Sequence, residues 1–170
     1  MAENTLKKRW IALYVENEVG VLAKISGLFS AKSYNLLSLT VGTTEHQDIS
    51  RMTISCASDD ITFEQIKKQL NTMVEVIKVI DLTDIPIHMK ELLFAKIKKI
   101  TPEEKEEVFR IAKTFDISVI DIGTDSVMLE STLTERRNDE LAALLRISFR
   151  HIDIVRGGAV AIEGISTSCR

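Results

Sequence analysis

The sequence predicts an α+β chain made of two βαββαβ units in tandem. Three observations predict it. The hydrophobic period alternates between two and about 3.6 in a fixed order, and that order occurs twice. Residues 83–88, punctuated by Asp84 and Pro86, separate the two occurrences. The length of 170 residues then suits two compact domains of roughly 80 residues each.

In the first unit Ile11, Leu13 and Val15 alternate with their neighbours as a half-buried strand. Glu16-Asn17-Glu18 reads as a turn, and Gly20 ends the strand pattern. Val21, Leu22, Ile25, Leu28 and Phe29 then fall on one face of an amphipathic helix. A second strand is expected through Leu37, Leu39 and Val41, a polar loop over 43–48, and a third strand through Met52, Ile54 and Cys56. Asp59 or Asp60 caps a helix that buries Phe63, Ile66 and Leu70. Residues 74–82, rich in β-branched side chains, close the unit as a strand.

The second unit repeats the order. Leu93, Ala95 and Ile97 make its first strand. Thr101-Pro102-Glu103-Glu104 supplies a cap, a proline in the first helical turn and a capping-box glutamate. That helix buries Val108, Ile111, Ala112 and Phe115. Strands follow over 117–122 and 126–132, joined by the turn Gly123-Thr124-Asp125. Thr134 caps a helix that buries Leu141, Leu144, Leu145 and Phe149, and 152–162 is the last strand. Four-stranded sheets with helices on one side leave a second face, which carries Trp10, Ala12 and Tyr14 in the first unit. Such a partly apolar face, together with free edge strands, predicts a dimer.

Composition narrows the function classes. A net charge of −3 weighs against a broadly basic nucleic-acid binder. Cys56 and Cys169 form no paired motif, so a disulfide framework is not expected and a reducing, cytoplasmic compartment fits. The polar residues 1–9 read as no signal peptide, and no run approaches ~18 apolar residues. His46, His88 and His151 stand apart from other metal-type ligands, so no metal site is expected. The glutamates at 103, 104, 106 and 107 suit the start of a solvated helix better than an acid–base pair. Gly157-Gly158 reads as a bulge rather than a phosphate cradle. No catalytic constellation stands out.

The stretch from Tyr14 to Val41 carries more. A glycine at the start of a helix lets a ligand approach the backbone, where free N–H groups can hold a carboxylate. Asn17 offers a donor and an acceptor, suited to an ammonium group or to fixing the loop. Val21, Leu22 and Leu36 supply apolar surface. Together these meet the needs of a branched amino acid; the same residues also suit a plain turn.

The string Val15-Glu16-Asn17-Glu18-Val19-Gly20-Val21-Leu22, then Gly27-Leu28-Phe29-Ser30 and Tyr34-Asn35-Leu36, resembles the ACT-domain signature of the acetolactate synthase (acetohydroxyacid synthase) small subunit. Ser38-Leu39-Thr40-Val41-Gly42, Ile49-Ser50-Arg51-Met52-Thr53-Ile54 and Val74-Glu75-Val76-Ile77-Lys78-Val79 extend the resemblance. The second half is similar to the same family more sparsely, through Lys90-Glu91-Leu92, Ile120-Asp121-Ile122 and Ile154-Val155-Arg156. Leu37 stands where a glutamate is common in that family.

The resemblance implies two ferredoxin-like βαββαβ domains in tandem. These are an N-terminal ACT domain at 8–83, for effector binding and dimerisation, and an ACT-like C-terminal domain at 88–165. It implies a regulatory, non-catalytic subunit of branched-chain amino-acid biosynthesis that activates a catalytic subunit and confers feedback inhibition by valine. Thiamine diphosphate, magnesium and FAD are then expected on the catalytic partner and no cofactor on this chain. Effector contacts map onto Asn17, Gly20, Val21 and Leu22, with Asn35 and Leu36 supplied by the neighbouring protomer of a homodimer. Other readings are a different amino-acid sensor built from paired ACT domains, or a subunit that activates without sensing valine. RNA-binding modules share the strand order, but the strands here offer mainly Ile, Leu, Met and Val where such modules stack bases on aromatics. Neither nucleic acid nor membrane is an expected partner.

Overall fold

The computed structural model describes residues 6–165. Its elements are β1 (Lys7–Glu16), α1 (Val21–Ala31), β2 (Asn35–Thr43), β3 (Ile49–Ser58), α2 (Asp60–Asn71) and β4 (Val76–Asp81), then β5 (Ile87–Lys98), α3 (Pro102–Phe115), β6 (Ser118–Ile122), β7 (Ser126–Leu133), α4 (Glu135–Ser148) and β8 (Ile152–Glu163). The order βαββαβ occurs twice, and the sheets run β2-β3-β1-β4 and β6-β7-β5-β8. The α+β class and the tandem arrangement are as the sequence predicts. Among the described residues two compact units result: one is made of 6–88 and 160–165, the other is Met89–Ala159. Cys169 lies outside the described residues.

The core of the first unit forms where the strand and helix periods meet. Ile11, Leu13 and Val15 of β1 pack with Ile25 and Phe29 of α1 and Phe63, Ile66 and Leu70 of α2. Asp59, not Asp60, caps α2 by accepting from the Thr62 amide at 2.8 Å. Cys56 is fully buried in this core, and burial pushes its thiol pKa up.

Two strands differ from the sequence reading. In β2 the register slips between Leu36 and Ser38. The bulge at Leu37 lets Leu36 and Leu39, an odd number of residues apart, both pack against the core. Leu37 and Val41 are left about half exposed. β4 begins only at Val76, because Val74 sits in a turn closed by the Val76 amide on the Met73 carbonyl at 3.2 Å.

The second unit packs Leu93, Ala95 and Ile97 against Val108, Ile111, Leu141 and Leu145. Thr101 and Glu104 form the reciprocal capping box, with bonds of 3.2 and 2.8 Å. Thr134 occupies the cap position of α4 but makes no side-chain cap bond. β8 runs unbroken through Gly157-Gly158.

The second face of the first sheet is less open than expected. Ala12, Thr53 and Ser55 are almost fully buried, and Trp10 and Tyr14 half-buried. Within this unit the last residues of β8 come back to it: Arg51 donates to the Ala161 carbonyl and to Glu163 Oε2, each at 3.0 Å.

Candidate functional site

The helix start at Gly20 follows from local constraints. Gly20 adopts φ +93°, a left-handed conformation that any β-carbon strains. It occupies the N-cap position, where it has no side chain to offer the helix, and the first turn holds no acidic residue. The Val21 amide reaches only the Glu18 carbonyl at 3.4 Å, long for such a bond. Helix α1 therefore presents a positive dipole end with weakly engaged donors, a place for a carboxylate. An added β-carbon at Gly20 would meet nothing within 4 Å, so the space above the turn is open.

Asn17 sits just beyond the end of β1 and binds the loop that leads into β3. Its amide nitrogen donates to the Gln47 carbonyl at 2.8 Å, and its Oδ1 accepts from Ser50 Oγ at 3.0 Å. Its backbone N–H reaches the Asp48 carbonyl at 2.8 Å. The loop-fixing role offered by the sequence is thus realised. An ammonium group that used Oδ1 would share it with Ser50. Lys24 and Glu75 pair beside this turn, which raises the lysine pKa and lowers the glutamate's.

Val21 and Leu22 divide the work expected of them. The Val21 side chain is buried in the core, so only its backbone can serve a ligand. Leu22 is 45% exposed and is free to line a site. Leu36 is half-buried against the core, and Asn35 is exposed.

Asn35 and Leu36 do not join Asn17 and Gly20 within one chain. Asn35 lies opposite Ala57 on β3, and Ala57 lies opposite Lys8 on β1. Glu16, next to Asn17, is eight residues further along β1, about 26 Å at the rise of a strand. The two groups occupy opposite ends of one sheet. Between them runs β2, an edge strand of nine residues without a charge or a proline.

The second unit holds a polar cluster that sequence reasoning missed. Asn138 on α4 is fully buried and accepts from Ser131 Oγ at 2.6 Å. It donates to the Glu91 carbonyl at 3.0 Å. Arg156 grips the Glu91 carboxylate with two bonds, 2.9 and 2.7 Å, and reaches Asp139 at 2.6 Å. This closed network ties β5, β7, β8 and α4 together. Its signal in the sequence is faint, because Asn138 lies in the charged run Glu135–Glu140 and reads as solvated.

Among the described residues no group of three or more His, Cys, Asp or Glu side chains converges to hold a metal. No described helix is long and apolar enough to cross a membrane.

Comparison with known proteins bears on this geometry. Residues 11–78 match the family described as the AHAS small subunit-like ACT domain. Residues 90–165 match the family described as the small subunit of acetolactate synthase. The acetolactate synthase small subunit of Aquifex aeolicus is 38% identical over 158 residues, 93% of this chain and 82% of that protein. A probable acetolactate synthase small subunit of Archaeoglobus fulgidus is 38% identical over 155 residues, 91% of this chain and 96% of that protein. The crystal structure of the small subunit from Thermotoga maritima superposes with a TM-score of 0.85 at 30% identity, covering 94% of this chain and 99% of that one. Both halves of the sequence and the whole fold agree: the chain belongs to the acetolactate synthase small subunit family.

Proposed function

We propose that this chain is the regulatory subunit of an acetolactate synthase, that it activates the catalytic subunit, and that it confers feedback inhibition by valine. Family membership supports the regulatory role, and the thiamine diphosphate, magnesium and FAD belong on the catalytic partner. The observation that carries the valine reading is the separation of the two half-sites along one sheet. Antiparallel pairing of β2 with its copy across a two-fold axis carries Asn35 and Leu36 of one protomer toward the Thr43 end of the other. That is the end where Asn17 and Gly20 lie. The α1 amides at Gly20, Val21 and Leu22 then receive the valine carboxylate, while Asn17 and Asn35 serve its ammonium. Leu22 and Leu36 pack against its isopropyl group. The uncharged β2 edge supports such pairing, since isolated edge strands commonly carry a charge or proline that blocks it.

A second reading, a subunit that activates without sensing valine, draws on the Asn17 amide, which is engaged at both ends within its own chain. Titration calorimetry of the purified chain with valine, against leucine and lysine, separates the two when repeated on the complex with the catalytic subunit. Valine binding with no lysine signal supports the sensor. Silence in both preparations overturns it.

A further inference from the structure

We propose that Arg51 couples the Asn17–Gly20 site to the end of β8, so that effector binding is felt along that strand; this rests on the valine-site reading above. Ser50 and Arg51 are consecutive on β3 and project to opposite faces of the sheet. On one face Ser50 Oγ hangs from Asn17 Oδ1 at 3.0 Å. On the other the Arg51 guanidinium lies 4.9 Å above the Tyr14 ring and donates to the Tyr14 hydroxyl. It also holds the Ala161 carbonyl and Glu163 Oε2, each at 3.0 Å.

The Asn17 side chain carries a single acceptor oxygen, which an effector ammonium must share with Ser50, and the sharing weakens the Ser50 bond. The side-chain tie between the Asn17 turn and the start of β3 is then loosened. Arg51 is poised to respond, because its Nε is buried with no hydrogen-bond partner. A buried donor left unsatisfied is a group that a rearrangement can supply with a bond, and a ligand that favours such a rearrangement shifts the population toward it. The strand that Arg51 holds is continuous with the second unit. Seven residues upstream of Glu163 on β8, Arg156 fastens Glu91 of β5 and Asp139 of α4. A change at Glu163 therefore acts on the same strand that organises the polar cluster of the other unit.

The test compares wild type, Arg51→Met, Glu163→Gln and the double variant, each alone and in complex with the catalytic subunit. Calorimetry on each chain is expected to give valine affinity within about threefold of wild type, while the valine concentration for half-inhibition of the complex rises at least about tenfold. Activation without valine stays at the wild-type level. The double variant is expected to match either single one, as two ends of one connection should. Wild-type inhibition curves for both single variants, with valine bound, overturn the coupling and leave the site intact. Equal losses of binding and inhibition also overturn it, because they put Arg51 and Glu163 in the site itself. A wild-type chain and complex that ignore valine overturn the site reading and the coupling with it.

Discussion

Helices α1 and α3 begin at the same point of the repeat, directly after the first strand of each unit, and they begin in opposite ways. At α3 the chain satisfies its own helix start: Thr101 and Glu104 cap each other's backbone groups, and Glu103 adds negative charge to the first turn. Hydrogen bonds there hold the Glu103 carboxyl below the usual range. At α1 a left-handed glycine takes the cap position, with no side chain and no acid. The edges differ likewise. β2 is long and uncharged, while β6 has five residues, carries Asp121 and is bulged between Val119 and Asp121. One fold thus supplies a sealed copy and an unsealed copy of the same turn. An anionic group finds donors only at the unsealed one.

The contrast is broken most severely by Gly20→Asp. This change places a carboxylate where the ligand's should sit, and valine affinity is expected to fall by more than about a hundredfold in calorimetry. Because the left-handed backbone is retained and the space is open, the stability cost read from thermal melting is only about 1–2 kcal/mol. Asn17→Ala and Asn35→Ala each remove a hydrogen bond that the proposed site gives to a charged group, so affinity is expected to fall roughly ten- to hundredfold, with sedimentation velocity unchanged from wild type. Leu37→Lys charges the β2 edge and is expected to give monomers in sedimentation velocity, whereas Ile120→Lys on β6 leaves the oligomeric state unchanged. Thr101→Ala opens the sealed turn and costs about 1 kcal/mol in urea unfolding, with valine affinity unmoved.

The smallest effect concerns pH. Burial pushes the Glu163 carboxyl up, but its backbone hydrogen bond and Arg51 outweigh burial and hold it below the ordinary value. A depressed carboxylate contributes stability above its unfolded pKa and loses it as pH falls through the folded one. Wild type is therefore expected to melt higher than Glu163→Gln at neutral pH. The difference should shrink through the acidic carboxylate range, as calorimetric melts from pH 7 to 3 would record.

Much of this comparison is written in short-range spacing. The α3 capping box, the Asp59 cap and the glycine before Val21 involve residues within three or four positions, where local geometry decides the outcome. The alternation of Ile11, Leu13 and Val15 fixes the buried face of β1 for the same reason. The bulge at Leu37 escaped because a regular period through Leu37, Leu39 and Val41 fits the sequence equally well; only the requirement to bury both Leu36 and Leu39 selects the slipped register. Asn138 escaped because its partners, Glu91 and Ser131, come from two other strands. The bond from Arg51 to Glu163 spans 112 positions, and no periodicity encodes so distant a match. Asn17 and Gly20 were legible as a candidate pair. Their distance from Asn35 depends on sheet register, which a sequence does not display.

The return of Val160–Glu163 to the first unit has a consequence during synthesis. Arg51 leaves the peptidyl-transferase centre 112 residues before its partner Glu163. At about 5–20 residues per second, that is an interval of roughly 6–22 s. Through that interval the growing chain can build β1 to β4 and both helices, but the face around Tyr14 and Arg51 has no covering strand. The first unit begins synthesis ahead of the second and is completed only after it, when the last residues of β8 emerge.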